Sequence, residues 1–309
     1  MAENNLPTIQ NGTVPNILFL GNGLNQAFGE ASWDRVIEML STGEFDYDET
    51  VFAEIQKMPY ALQTILISSD SVNEGMSQIA ESMLPRALSP EHSELLHDYT
   101  KVGFDAILTT NYSYEIETSL NPEFSVSLGK ASKYRFSSKT GSRPQEQFGI
   151  YKYYYINNCR IWHVHGEAAH PNSMVMGHYY YGKLLSEIQK RVPEVIRTYS
   201  ACKKKEVDFI PQSWIDYFLI GNVYIVGFGL NPSEMDIWWL INCKKRHFPE
   251  AGKIYFYEPN LDDIVHYPVR ALAETFKFNY GMYHVKDYYS FYKMVLSEIR
   301  TESKKWVGR

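Results

Sequence analysis

The chain has 309 residues, a formal net charge of −6, 44% hydrophobic residues and 21% charged residues. That balance is that of a globular chain and excludes intrinsic disorder, while the negative charge leaves no global electrostatic footprint for nucleic acid. The length suffices for a large core, in one domain or two.

No apolar run reaches membrane-spanning length, so no membrane partner is expected. The polar stretch Met1–Pro15 has no signal-peptide core, and a reduced cytoplasmic setting is the expectation. The three cysteines, Cys159, Cys202 and Cys243, are odd in number and far apart. They contain no C-x-x-C pair, so neither a disulfide scaffold nor a zinc module is indicated.

In chain order, Asn16–Leu20 is a compact apolar strand followed by the turn Gly21-Asn22-Gly23-Leu24-Asn25. Strand followed by glycine turn opens a nucleotide-binding βα unit, in which glycines let backbone N–H groups approach a pyrophosphate. The next glycine, Gly29, comes three residues too late for the dinucleotide fingerprint. A tight turn with no ligand explains the same residues equally well.

From Ala31 to Tyr99 the pattern is helical, with Ser32 as an N-cap and Trp33, Val36, Ile37 and Leu40 on one face. Further helices are expected at Val51–Lys57, Tyr60–Ile67, Asn73–Leu84 and Pro90–Tyr99. Such a stretch exceeds what a crossover needs, so residues 31–100 read as a helical insertion or lid after the first strand.

Phe104–Asn111 is the second strand and Tyr112–Leu120 the helix after it. Asn111 thus falls at the carboxyl end of a strand. Taken singly, Asn111 or Ser113 is expected to cap the helix. Phe124–Leu128 is a candidate short strand. The loop Gly129–Arg143 carries Lys130, Lys133, Arg135, Lys139 and Arg143 against no acid, a pattern usually just solvated. Tyr151–Ile156 and Cys159–Val164 form a hairpin about Asn157-Asn158 at the sheet edge. The second of these strands delivers His163 and His165 to its end, and Gly166 permits a sharp turn. His163 is expected to pack or hydrogen-bond on the face opposite His165.

Tyr181 is expected to open a helix with Leu184, Leu185 and Ile188 inward, and Lys203–Lys205 to lie in a solvated loop. Ser213–Ile220 is a helix capped by Ser213. Asn222–Leu230 is the clearest strand and ends in Gly227 and Gly229. Asn231-Pro232-Ser233-Glu234 fits a capping box, with Asp236 in the first helical turn, so both acids receive a structural explanation. Lys253–Glu258 is a strand ending in an acid, and Lys277–Val285 is the last strand. A terminal helix runs from Tyr288 to Trp306 with Phe291, Met294, Val295 and Ile299 on its apolar stripe. Alternating strands and helices imply an α/β fold: a doubly wound, mostly parallel Rossmann-like sheet with an inserted helical subdomain, within one domain of residues 1–309.

Four features, the glycine turn, Asn111, His165 and the Gly227/Gly229 turn, share one position: the carboxyl end of a strand, where such sheets bind ligands. Glu258 is a fifth candidate. Their order, with Thr109-Thr110-Asn111-Tyr112, His165-Gly166 and Gly227-Phe228-Gly229-Leu230, resembles the sirtuin superfamily, and more narrowly the bacterial sirtuin-like NADases of antiphage defence. The resemblance spans Asn16 to about Glu258. It implies that Asn111 and His165 are catalytic and that Gly21, Asn22, Gly23, Asn25, Thr110, Gly227, Gly229 and Leu230 contact the dinucleotide. Glu258 would contact the adenosine ribose.

Two departures matter. Deacetylating sirtuins carry an aspartate two residues after the asparagine, where this chain has Ser113, and a four-cysteine zinc module, which three scattered cysteines cannot build. Both disfavour deacylation and leave NAD hydrolysis intact. The resemblance therefore implies an NAD+ glycohydrolase releasing nicotinamide and ADP-ribose, with NAD+ as substrate, no cofactor, no zinc and no other metal. Asn111 would position ribose or water, and His165 would be the general base, since an imidazole titrates near neutrality. The activity would be that of an abortive-infection effector, triggered by homo-oligomerisation or by a separate defence-system protein. The rivals are an NAD or ADP-ribose sensor without turnover, a deacylase, and a nucleic-acid factor using the basic loop.

Overall fold

The computed structural model describes residues 7–29, 49–67, 79–138, 148–261 and 267–306. The expected helix at Trp33–Leu40, most of Asn73–Leu84, and Lys139 and Arg143 lie outside these residues.

The first strand, β1 (Asn16–Leu20), is buried along its whole length. Its residues alternate between two cores: Ile17 and Phe19 join one, Leu18 and Leu20 the other. A strand apolar on both faces belongs at the centre of a sheet covered on both sides, and β1 is there. After it come α1 (Gly23–Gln26), α2 (Glu49–Ile55), α3 (Tyr60–Ile67) and α4 (Pro90–Thr100). Next are β2 (Ala106–Thr109), α5 (Glu115–Leu120), β3 (Arg135–Ser137), β4 (Lys152–Ile156) and β5 (Cys159–His163). The chain continues through α6 (Gly177–Lys205), α7 (Trp214–Ile220), β6 (Asn222–Val226), α8 (Met235–His247) and β7 (Ile254–Asn260). It closes with α9 (Tyr267–Phe276), β8 (Asn279–His284) and α10 (Tyr288–Ser303).

The strands form one eight-stranded sheet in the order β3-β4-β5-β2-β1-β6-β7-β8. From β5 to β8 all neighbours are parallel. The hairpin β3-β4 is added antiparallel at the edge. The chain moves outward from β1 to β2 and β5, then returns to β6 and moves the other way. The order therefore reverses between β1 and β6, and the crevice beyond their carboxyl ends is the topological switch point. Helices α6, α7 and α8 cover one face; α4, α5 and α10 cover the other. The doubly wound sheet follows from the sequence as expected.

Local chemistry sets the element ends. Ser89 caps α4, its hydroxyl accepting the His92 N–H at 3.2 Å, with Pro90 in the first turn. Ser213 caps α7 as expected. Asn157 and Asn158 have φ of 47° and 66°, the left-handed pair that a two-residue hairpin requires and that asparagine tolerates. Lys244 is buried and donates to the carbonyls of Phe218, Leu219 and Gly221 at 3.2, 2.9 and 2.7 Å, closing the carboxyl end of α7.

Several expectations are corrected. Phe124–Leu128 is not a strand. Lys203–Lys205 form the last turn of α6, whose carboxyl end favours cations, and that helix starts at Gly177. Met294 is exposed, whereas Phe291, Val295 and Ile299 are buried. Helix α8 starts at Met235 with Glu234 as an N-cap that makes no side-chain cap bond. Asn231 instead accepts the Ser233 N–H at 2.9 Å in a local turn. The capping box does not form. Arg135 lies on β3 and pairs with buried Glu167, so the basic stretch is not opposed by nothing. Strand β7 extends two residues past Glu258 because β8 pairs with it through Asn260. Helix α9 went unread in the sequence.

Candidate functional site

The loops after β1 and β6 touch. The Gly21 N–H donates to Val226 O at 2.9 Å and the Gly23 N–H to Gly227 O at 2.8 Å. A Cβ on Gly21 would lie 2.5 Å from Gly227 O, and one on Gly23 would lie 2.6 Å from the Tyr292 hydroxyl. These glycines are thus required by the approach of two loops, and their N–H groups are used inside the protein. Gly229 is exposed, and a side chain there meets nothing within 4 Å. Leu230 has φ of 49° and is fully buried in the core.

Asn25 is buried and committed to a network. Its Nδ2 donates to Asn22 Oδ1 at 3.2 Å and to Glu115 Oε2 at 3.1 Å, and its Oδ1 meets His92 Nε2 at 3.0 Å. Burial, with Arg86 nearby, lowers His92 to about 4, so the ring is neutral and Nε2–H is the donor. Phe28 stacks on it at 4.4 Å. Glu115 also accepts from Ser113 Oγ at 2.6 Å. The network ties the glycine loop to α4 and to the loop after β2; the sequence offered no sign of Glu115 or His92 in it.

Asn111 lies two residues past β2 and is buried. Neither its Oδ1 nor its Nδ2 has a hydrogen-bond partner among the described residues. Neither it nor Ser113 caps α5, which begins at Glu115 after Tyr114 with no side-chain cap bond. Its backbone is held firmly: the N–H donates to Thr109 Oγ1 at 3.1 Å, and the carbonyl accepts from His163 Nδ1 at 2.7 Å. Thr110, beside it, is half-buried.

His163 ends β5 and faces α5, where its Nε2 lies 2.9 Å from Glu117 Oε1. Burial by itself lowers its pKa, but the charge and hydrogen bond of Glu117, with Glu167 and the Asn111 carbonyl, raise it to about 9. Both nitrogens donate, so the ring is an imidazolium that fixes the Asn111 backbone. His165 turns toward the other layer, against α8 and α6. Strand alternation does not separate the two, since residues i and i+2 share a face. The chain leaves the strand at His163, and Gly166, with φ of 87°, turns it; a Cβ there would lie 2.0 Å from Ser173 O.

His165 Nε2 is 2.9 Å from Asp236 Oδ2 and 3.8 Å from Glu234 Oε2. Burial opposes the charged ring, but Asp236 and then Glu234 raise its pKa to about 9. At neutral pH it is a cation and a donor, and its other nitrogen, Nδ1, has no hydrogen-bond partner among the described residues. Tyr181 Oη donates to Glu234 Oε2 at 2.8 Å. The donor atoms of His165, Glu234 and Asp236 lie within 4.8 Å of one another, a set able to hold a divalent cation.

The parallel pair Thr109↔His163 sets Asn111 and His165 each two residues beyond one rung. The glycine junction, Asn111 and His165 therefore lie at the carboxyl ends of the neighbouring strands β6, β1, β2 and β5, on one edge of the sheet. Glu234 and Asp236 join them, missed because the sequence explains both as helix-start residues. Glu258 lies on β7, the neighbour of β6, and accepts a hydrogen bond from Tyr280 Oη. Among the described residues no helix is long and apolar enough to cross a membrane. In comparisons with known proteins, no family model matches the chain and no curated protein matches it significantly.

Proposed function

We propose that this protein is an NAD+ glycohydrolase whose site is the crevice at the carboxyl ends of β1, β2, β5 and β6. One observation carries the reading: Asn111 holds a buried amide with both polar atoms unpartnered among the described residues, on a rigidly held backbone. Such an amide costs about 1–3 kcal/mol unless a ligand completes it. A ribose, dense in hydroxyls, is suited to an amide that both donates and accepts.

The cleavage transition state has oxocarbenium character, and the cationic nicotinamide leaves without acid assistance. Asn111 would hold the ribose or the attacking water in place. His165, charged at neutral pH, would donate from Nδ1 to a ribose hydroxyl; as a general base it would operate only once deprotonated, above about 9. That charge state favours one alternative, a module that binds NAD+ or ADP-ribose without turnover. A role in antiphage defence through NAD+ depletion, triggered by self-assembly or a partner protein, belongs to the same proposal and draws on the family resemblance.

Nicotinamide release from NAD+, measured with and without the proteins encoded beside this one, tests it. Release by the wild type that Asn111→Ala and His165→Ala abolish is the expected result. Release that survives both substitutions excludes the site. NAD+ or ADP-ribose binding without release establishes the sensor.

A further inference from the structure

Glu234 is where the sequence and the structure disagree most usefully. The sequence assigns its carboxylate to a helix cap, but the side chain makes no cap bond. One oxygen, Oε2, is fixed by the Tyr181 hydroxyl at 2.8 Å, with the His165 ring 3.8 Å away. The other oxygen, Oε1, has no hydrogen-bond partner among the described residues. The side chain retains 16% of its surface, against 4% for His165 and none for Asp236. Within this cluster, then, Glu234 is the most open group, and it is anchored by one oxygen with the other available. It stands on the loop after β6, beside the reversal of strand order.

We propose that Glu234 is the proton acceptor of the cleft, acting on the water that attacks the pyridinium N-glycosidic bond, with His165 and Asp236 as the pair that positions it. This rests on the NAD+ reading above. The water oxygen bonds to the ribose C1′ and the C1′–N bond breaks. Its electron pair goes to the pyridinium nitrogen, which becomes neutral. The water proton passes to Glu234 Oε1 and then to solvent, so NAD+ and water give nicotinamide, ADP-ribose and a proton with no change of oxidation state. Burial raises the Glu234 carboxyl above the ordinary glutamate value against the opposing His165 charge, with Asp236 adding to the rise and the Tyr181 hydrogen bond reducing it; a raised carboxylate is a better base near neutral pH. Asp236 is fully buried and its Oδ2 is shared with His165, so it has no open path to water.

The test measures nicotinamide release from NAD+ by the wild type, Glu234→Gln and Glu234→Ala, alongside thermal unfolding. Glutamine keeps the shape and the Tyr181 contact but cannot accept the proton. The expected result is a loss of about 10²–10⁴-fold in kcat, with unfolding temperature preserved and the acid limb of the pH profile gone. Added formate restores release by Glu234→Ala, because a small carboxylate fills the vacated place. Wild-type rates in Glu234→Gln, or no formate rescue, overturn the proposal and leave the NAD+ reading standing. No release by the wild type in the presence of the proteins encoded beside it overturns the NAD+ reading and this inference with it.

Discussion

At the scale of single residues the site combines groups whose hydrogen-bonding capacity is spent with groups that have no partner among the described residues. Asn111 is the clearest case, and it predicts a divorce between stability and function. Asn111→Leu keeps the approximate volume and removes two unsatisfied polar atoms, so its unfolding temperature should equal or exceed that of the wild type while nicotinamide release is lost. A large destabilisation would show that the amide is structurally paired. His163 is the counterpart, a residue whose capacity is fully used: its ring bridges Glu117 and the Asn111 carbonyl. Glu117→Gln leaves a buried imidazolium without its counter-charge and should cost about 3–5 kcal/mol in urea unfolding. Asn111 was legible because an asparagine just past a strand end is conspicuous. Glu234 and Asp236 were not, because a residue at a helix start fits a cap whether or not the cap forms.

Among the elements, the loops after β1 and β6 are in close contact at the site. Gly21→Ala forces a Cβ to within 2.5 Å of a carbonyl oxygen, and such overpacking typically costs about 1–3 kcal/mol. Gly229→Ala meets open space and should leave the unfolding temperature nearly unchanged. Equal effects at the two positions would mean the loops do not approach as described. From the sequence both pairs of glycines look alike, as ligand-facing turns. Only the distance between two loops more than 200 residues apart separates the packing glycines from the open one. The final lysines of α6 read as a loop from charge alone, although a helix carboxyl end attracts that charge.

For the whole molecule, buried histidines of opposite shift give stability a pH dependence with a defined sign. His163 and His165 have folded pKa values of about 9, above the ordinary value of 6.5. The stability they contribute is complete below about 6.5 and is lost as pH rises through about 9. His92 is shifted the other way, to about 4, so its contribution is present above 6.5 and is lost as pH falls toward 4. Denaturant unfolding across pH should show an alkaline decline from about pH 6.5 to 9 that His163→Gln makes shallower. An unchanged alkaline slope in that variant would contradict the charged state of the ring.

The sequence by itself determined the doubly wound sheet, the position of each major strand and the gathering of Asn111 and His165 at carboxyl ends. Hydrophobic period and turn chemistry are local, and the connection rules of parallel sheets turn them into topology. Tertiary structure alone decided which polar groups are spent and which remain open. Asn25, His163 and two glycine N–H groups are consumed by partners distant in sequence, whereas the Asn111 amide and one oxygen of Glu234 have no partner among the described residues. Hydrogen-bond satisfaction depends on what lies within 3 Å or so in space, and no period along the chain encodes it.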